Sequence, residues 1–345
     1  MIKILVELLE FLRSCAPLLF SLGALSLFFI LLSKSIKKHA TIYYIVFALP
    51  FILYLITFFG GLMGFKMPNL ITVPVLGEIL RDYIHVAALG HPVLIIIMYA
   101  GALNPKNPTV KKLLSIRKEI SIISGFPILM HSLVRVMNNL PGAFKFFTNK
   151  TGYLENTPVV SELGAGISSF SLILGIALLV IFIPLWVTSF DSVHRRMGGV
   201  KWKKLQKWAY VLYALMFIHA IGIQAGGMLN PRGGAPRPAV ETVAAAANAQ
   251  ARDVVQGSDT AQARQTEGAR PERQVGQQTG QQPAMGQARG PAGRAPSKGI
   301  SDIVVSQQTK QYIHIISLLL IYGSYLYLRL RKTKKDAQRK AKDCH

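Results

Sequence analysis

RRMGGVKWKKLQK, running straight into WAYVLYALMFIHAIGIQAGGML, is the stretch Arg195–Leu229 on which the fold turns. Basic residues crowd its first part. From Trp208 onward there is no Asp, Glu, Lys or Arg. At 1.5 Å per residue, a charge-free helix of this length covers the ~30 Å of a hydrocarbon core. Lys and Arg gathered at one end of such a segment are what membrane insertion selects for cytoplasmic loops.

The same pairing recurs outward from this stretch. Apolar runs lie at about 15–33, 42–62, 84–103, 118–137, 164–188, 207–228 and 311–329, which predicts seven spans. Four basic segments abut them: Lys34/Lys37/Lys38, Lys106 to Lys118, Arg195 to Lys207, and Arg329 to Lys342. Together they hold more than half of the 39 Lys and Arg, and all four fit one orientation. That orientation puts the N-terminus outside and the C-terminus in the cytoplasm, in a multi-pass cytoplasmic (inner) membrane protein. Composition agrees: 51% of residues are hydrophobic and only 16% charged, against roughly 25% charged in a soluble domain. The net charge of +23 is then a property of loops beside spans, so lipid is an expected partner and nucleic acid is not.

The expected fold class is an all-α membrane protein, a helical bundle of about seven transmembrane helices. Residues 1–41 hold an amphipathic segment and an extra span. Within it, Lys3, Glu7 and Glu10 share a face, away from Ile4, Leu5, Leu8 and Leu12. A cleaved signal peptide is the competing reading, but the apolar run from Cys15 is long and no A-x-A-like site follows it. Residues 42–228 form the core. Residues 229–310, rich in Gln, Ala, Gly, Arg and Pro, lack the apolar surface to offset ordering and are expected to be a disordered outer loop. Residues 311–345 supply the last span and a basic tail. Cys15 and Cys344 fall on opposite sides of the membrane and predict no disulfide. The GxG within GAGISSF, from Gly164, opens an apolar span with no strand before it, so it is not a nucleotide site.

An ionisable residue at membrane depth is costly and is a functional candidate by default. Of the eight histidines, His39, His194, His314 and His345 are expected in loops, at a helix mouth or in the tail, and His85 and His91 in the outer half of the third span. His131 and His219 lie deep, 14 residues beyond Arg117 and 12 beyond Lys207. Both therefore rise roughly 18–21 Å from the cytoplasmic edge. Two imidazoles at matched height on co-directional helices suit ligation of one haem iron from opposite faces. The alternative is that each bonds a neighbouring helix as interhelical glue. Arg135, one turn beyond His131, is placed to pair with a haem propionate or to snorkel outward. Gly125 and Pro127 would let a flat macrocycle approach and kink the helix. His91 is a reserve ligand, or else an interfacial polar residue.

RKEISIISGFPILMH (Arg117–His131) and TSFDSVHRRMGGVKWKKLQKWAYVLYALMFIH (Thr188–His219) resemble the ferric-reductase-like transmembrane family, and within it the haem-binding membrane subunits of periplasmic methionine sulfoxide reductase systems. Thr188, Ser189, Arg195, Arg196, Gly198, Trp202, Leu205, Tyr210 and His219 carry the second motif. The resemblance implies a six-helix core with one added N-terminal helix, and a b-type haem held by His131 and His219. It also implies an electron-transfer subunit feeding an extracytoplasmic reductase or other outer acceptor. A family histidine that would hold an inner haem falls on Gln206, opposite Arg117, which implies one haem, in the outer leaflet. Electrons are expected from a quinol or a flavoprotein donor, with FMN or a quinone as a second cofactor. A polytopic transporter and a haem-free membrane anchor are the rival functions.

Overall fold

A computed structural model describes residues 2–84, 88–157, 161–230 and 305–343. Fourteen α-helices follow in order: α1 (Ile2–Cys15), α2 (Pro17–Leu31), α3 (Ser33–Lys38), α4 (Ala40–Leu62), α5 (Leu76–Ile84), α6 (Gly90–Ala102), α7 (Pro108–Ser115), α8 (Arg117–Thr148), α9 (Lys150–Asn156), α10 (Glu162–Val187), α11 (Asp191–Met197), α12 (Gly199–Gln206), α13 (Trp208–Leu229) and α14 (Gln307–Asp343). Among the described residues there is no strand. His85, Cys344, His345 and nearly all of the expected loop 229–310 lie outside the described residues.

Among the described residues, five helical segments are long and apolar enough to cross a membrane: α4, α8, α10, α12 with α13, and the first part of α14. The other two expected spans are shorter than the sequence suggests. α2 has 15 residues and α6 has 13. Thirteen residues rise about 20 Å, short of a ~30 Å core. The expected span 84–103 is broken because α5 ends at Ile84 and the helix restarts at Gly90.

α6 compensates by burial. Val93 to Met98 are all buried, enclosed by α8, α2 and α14, so this helix is apolar on every side. α4 is the opposite case. Its Ile45, Leu49, Ile52 and Ile56 are exposed, the surface of a helix solvated by hydrocarbon. α1 carries exposed Leu5, Leu8, Leu9 and Leu12, and two polar contacts tie it down. Arg13 grips Asp82 of α5 through two 2.8 Å contacts, and Lys310 reaches Ser14.

The bundle turns on α10, which runs antiparallel to α8 and α13 and packs along both, while α8 and α13 have little direct contact. Toward α13, small residues permit close approach. A Cβ on Gly226 would sit 2.9 Å from the Ser168 backbone nitrogen and 2.8 Å from the Gly164 carbonyl oxygen. One on Gly222 would meet the Ser171 hydroxyl at 2.0 Å. Gly164 therefore belongs to a helix-packing stripe. Toward α8, the indole of Trp186 occupies the space over Gly125, where a Cβ would lie 1.9 Å from Nε1, and donates to the Ile122 carbonyl at 2.9 Å. Gly125 was expected to admit a macrocycle; the structure gives its space to Trp186. α8 continues through Pro127 and Pro141 to Thr148.

Candidate functional site

The ends of α8, α10 and α12 meet where the basic loops gather. Lys118 bonds Asp191 at 3.0 Å, and that ammonium holds the exposed Asp191 carboxyl below the usual carboxylate range. Ser121 bonds Ser189 at 3.0 Å. Trp202 donates to the Thr188 carbonyl at 3.1 Å, and the His194 ring lies 4.6 Å from the Trp202 ring. Gln206 donates to the Thr188 hydroxyl at 3.5 Å. The second motif thus forms a clasp over the end of α10, and Gln206 is part of it.

Deeper in the bundle, His131 and His219 are held in the same way. Nδ1 of His131 lies 2.7 Å from the carbonyl oxygen of Ile84, and Nδ1 of His219 lies 2.7 Å from that of Ser171. A carbonyl only accepts, so in each ring Nδ1 carries a proton, and in the neutral ring Nε2 carries the lone pair. The two acceptors differ in origin. Ile84 is the last described residue of α5. Ser171 lies inside α10, and its carbonyl can be reached because Gly175 stands one turn on. A Cβ at Gly175 would be 3.3 Å from His219 Cε1.

The two rings are not level along α10. Gly175 faces His219, whereas Trp186 faces Gly125 and Gly166 faces Phe146. Interpolating between the last two pairs sets His131 opposite the stretch near Val180. The histidines are then offset by about a turn and a half, ~8 Å, and the line joining them runs oblique to the helix axes. Counting residues from the basic loops cannot detect this, because α8 and α13 meet α10 at different registers. Arg135, one turn beyond His131, lies within Coulombic range of His219 and bonds Asn139 at 3.4 Å.

Two further histidines join this region. His91, expected near the interface, is 3% exposed, and its Nε2 lies 2.9 Å from the Tyr322 hydroxyl. That contact engages the nitrogen a reserve ligand would need. His314, expected at a helix mouth, sits half-buried in α14. His91 is within Coulombic range of His131, His219 and His314, so four histidines converge from α6, α8, α13 and α14. The sequence pairs His131 with His219 and offers His91 as a reserve ligand. The depth of His91 and the place of His314 are not legible there, because each lies within about two turns of a helix start, where depth cannot be judged from residue count.

Among the described residues no three His, Cys, Asp or Glu side chains group as a metal cluster. An apolar crevice of about 650 Å³ opens beside Ser171 and Phe217, walled by Phe146, Phe170 and Ile221.

The comparisons bear on this arrangement. Residues 86–217 match the family model described as "Ferric reductase like transmembrane component". The match includes His91, His131 and Arg135 and stops two residues before His219. A protein of Treponema pallidum (strain Nichols), named only as uncharacterized, is 28% identical over 202 residues, 58% of this chain and 49% of that one. Magnetosome protein MamZ of Magnetospirillum gryphiswaldense is 40% identical over 50 residues, 14% of this chain and 8% of that one. The chain spans about half or less of the length of these curated relatives. No solved structure matches. The segment that carries His91 and His131, two of the four convergent histidines, is thus similar to the ferric-reductase-like transmembrane family, whose description points to a membrane electron-transfer component.

Proposed function

We propose that this chain is the haem-binding membrane subunit of an oxidoreductase system. It passes electrons from a quinol or flavoprotein donor to an extracytoplasmic reductase, of the methionine sulfoxide reductase kind, or to another outer acceptor. The observation that carries the reading is the paired anchoring of His131 and His219 through Nδ1, which presents the Nε2 lone pair of each as a ligand atom. Held by both, a b-type haem supplies one-electron exchange at an iron with no open position. Arg135 is the propionate partner, which its proximity to His219 supports.

A single haem is favoured because Gln206 is engaged with Thr188 and the residue at matching depth on α8 is Arg117, neither of them a haem ligand. With the N-terminus outside, the haem lies toward the outer leaflet, and a cytoplasmic donor faces a gap of well over ~10 Å. A lipid-soluble quinol avoids that gap, and the crevice beside Ser171 gives it an apolar approach. FMN docked among the helices is the second donor chemistry.

The optical spectrum tests this. Purified protein should show a low-spin haem b signal that His131→Ala and His219→Ala each abolish. A colourless wild-type protein, or spectra unchanged in both variants, sinks the reading and leaves the transporter or the haem-free anchor.

A further inference from the structure

We propose that His91, hydrogen-bonded to Tyr322, is the proton-accepting site of the haem pocket and takes up a proton at Nε2 when the pocket gains an electron. The inference rests on the haem reading above but concerns residues that the ligation does not use.

The observations are positional. His91 is 3% exposed and Tyr322 9%, and they meet at 2.9 Å. A polar pair at membrane depth is costly to keep, so it calls for a use. Tyr322 packs against Phe217 of α13 with ring centroids 5.0 Å apart, two residues from His219. His91 lies within Coulombic range of both proposed ligands. Electrons and protons at this site therefore act on each other through a medium that screens weakly.

The direction follows from charge. Oxidised iron with its porphyrin carries one more positive charge than the reduced form, and that charge opposes an imidazolium nearby. Reduction removes the opposition. At roughly 10 Å and an effective dielectric of ~20, one unit of charge shifts a proton equilibrium on the order of tenfold. The step balances: one electron enters from the quinol or flavoprotein donor and one proton comes from the aqueous phase to His91 Nε2; on oxidation the electron passes to the outer acceptor and the proton returns to water. Tyr322 fits the role because its hydroxyl donates to neutral Nε2 and its oxygen accepts from protonated Nε2–H. Among the described residues, the ionisable groups near His91 are Tyr322 and His314 on α14, His219 on α13 and His131 on α8; α2, also packed on α6, brings none. α7 packs on α6 with Lys111 and Lys112, beyond the opposite end of α6 from His91. Haem held through Nε2 of His131 and His219, whose Nδ1 atoms donate to carbonyls, would leave His91 and His314 as the described histidines able to take up the proton.

Spectroelectrochemical titration of the haem-loaded full chain from about pH 5 to about pH 9 brackets the histidine range. The wild-type midpoint potential should fall across part of that range by a tenfold change in equilibrium, about 59 mV for one electron. His91→Gln should keep the haem spectrum and lose the fall. Tyr322→Phe, which removes a hydroxyl and nothing else, should move the sloping region to lower pH. The proposal is overturned by a flat wild-type profile, by a slope that persists in His91→Gln, or by loss of the slope in His314→Gln instead. Should His91→Gln fail to hold haem, an unshifted profile in Tyr322→Phe overturns it. A colourless wild-type protein defeats the haem reading as well; an intact spectrum with unaltered slopes defeats the proton assignment alone.

Discussion

At the scale of single residues, the site depends on two hydrogen bonds from imidazole to backbone. Residue identity and depth along an apolar run mark His131 and His219 in the sequence, because an ionisable group there stands out against hydrocarbon. Their acceptors are invisible at that level. Any residue has a carbonyl, and nothing in the sequence singles out those of Ile84 and Ser171; the second is reached because Gly175 lacks a Cβ. Gly175 can therefore be tested as a residue that acts through His219. A Cβ at 3.3 Å from Cε1 is tight, and a branched side chain would push the ring off the carbonyl. Gly175→Val should weaken haem retention by about 10–100-fold, the usual cost of losing an outer partner of a ligand. Haem-transfer kinetics to an apoprotein acceptor would measure it; retention equal to wild type would show that the Ser171 contact does not orient the ligand.

At the scale of helices, α10 sets the positions of its two neighbours, and it does so differently on each side. Against α13 the spacing is set by small residues, so backbone meets backbone; against α8 it is set by Trp186 over Gly125. This difference separates substitutions that look alike in sequence. A Cβ at Gly222 meets a serine hydroxyl, which can rotate away, so Gly222→Ala should cost less than about 1 kcal/mol. At Gly226 the obstacles are the Gly164 carbonyl oxygen and the Ser168 nitrogen, which move only if the helices part, so Gly226→Ala should cost about 1–3 kcal/mol. Thermal unfolding in detergent would rank the two, and a reversed order would contradict the packing described. The spans themselves were legible, since long apolar runs flanked by Lys and Arg have few other solutions. The shortness of α6 was not: hydropathy registers an apolar run around 84–103 and is blind to a break whose helix is buried by neighbours rather than by lipid.

At the scale of the whole molecule, the decisive contrast is between the two ends of the α8–α10–α13 layer. One end holds the convergent histidines. The other holds Arg117, Gln206 and the aromatic packing of Tyr213 against Tyr325, with ring centroids 6.3 Å apart. Gln206 is tied to Thr188, Thr188 also accepts from Trp202, and Lys118 beside Arg117 is tied to Asp191. A second macrocycle would have to displace this clasp and find ligands where there is an amide and a guanidinium. The pyridine haemochrome assay on purified protein should therefore give a ratio of haem to protein near one. Replacing the amide alone, Gln206→His, should leave that ratio unchanged, because a single imidazole at the depth of Arg117 lacks its partner. A ratio near two in the wild type would mean that the basic end opens to admit a macrocycle on other ligands. The long gap that favours a quinol over a cytoplasmic flavoprotein would then no longer exist.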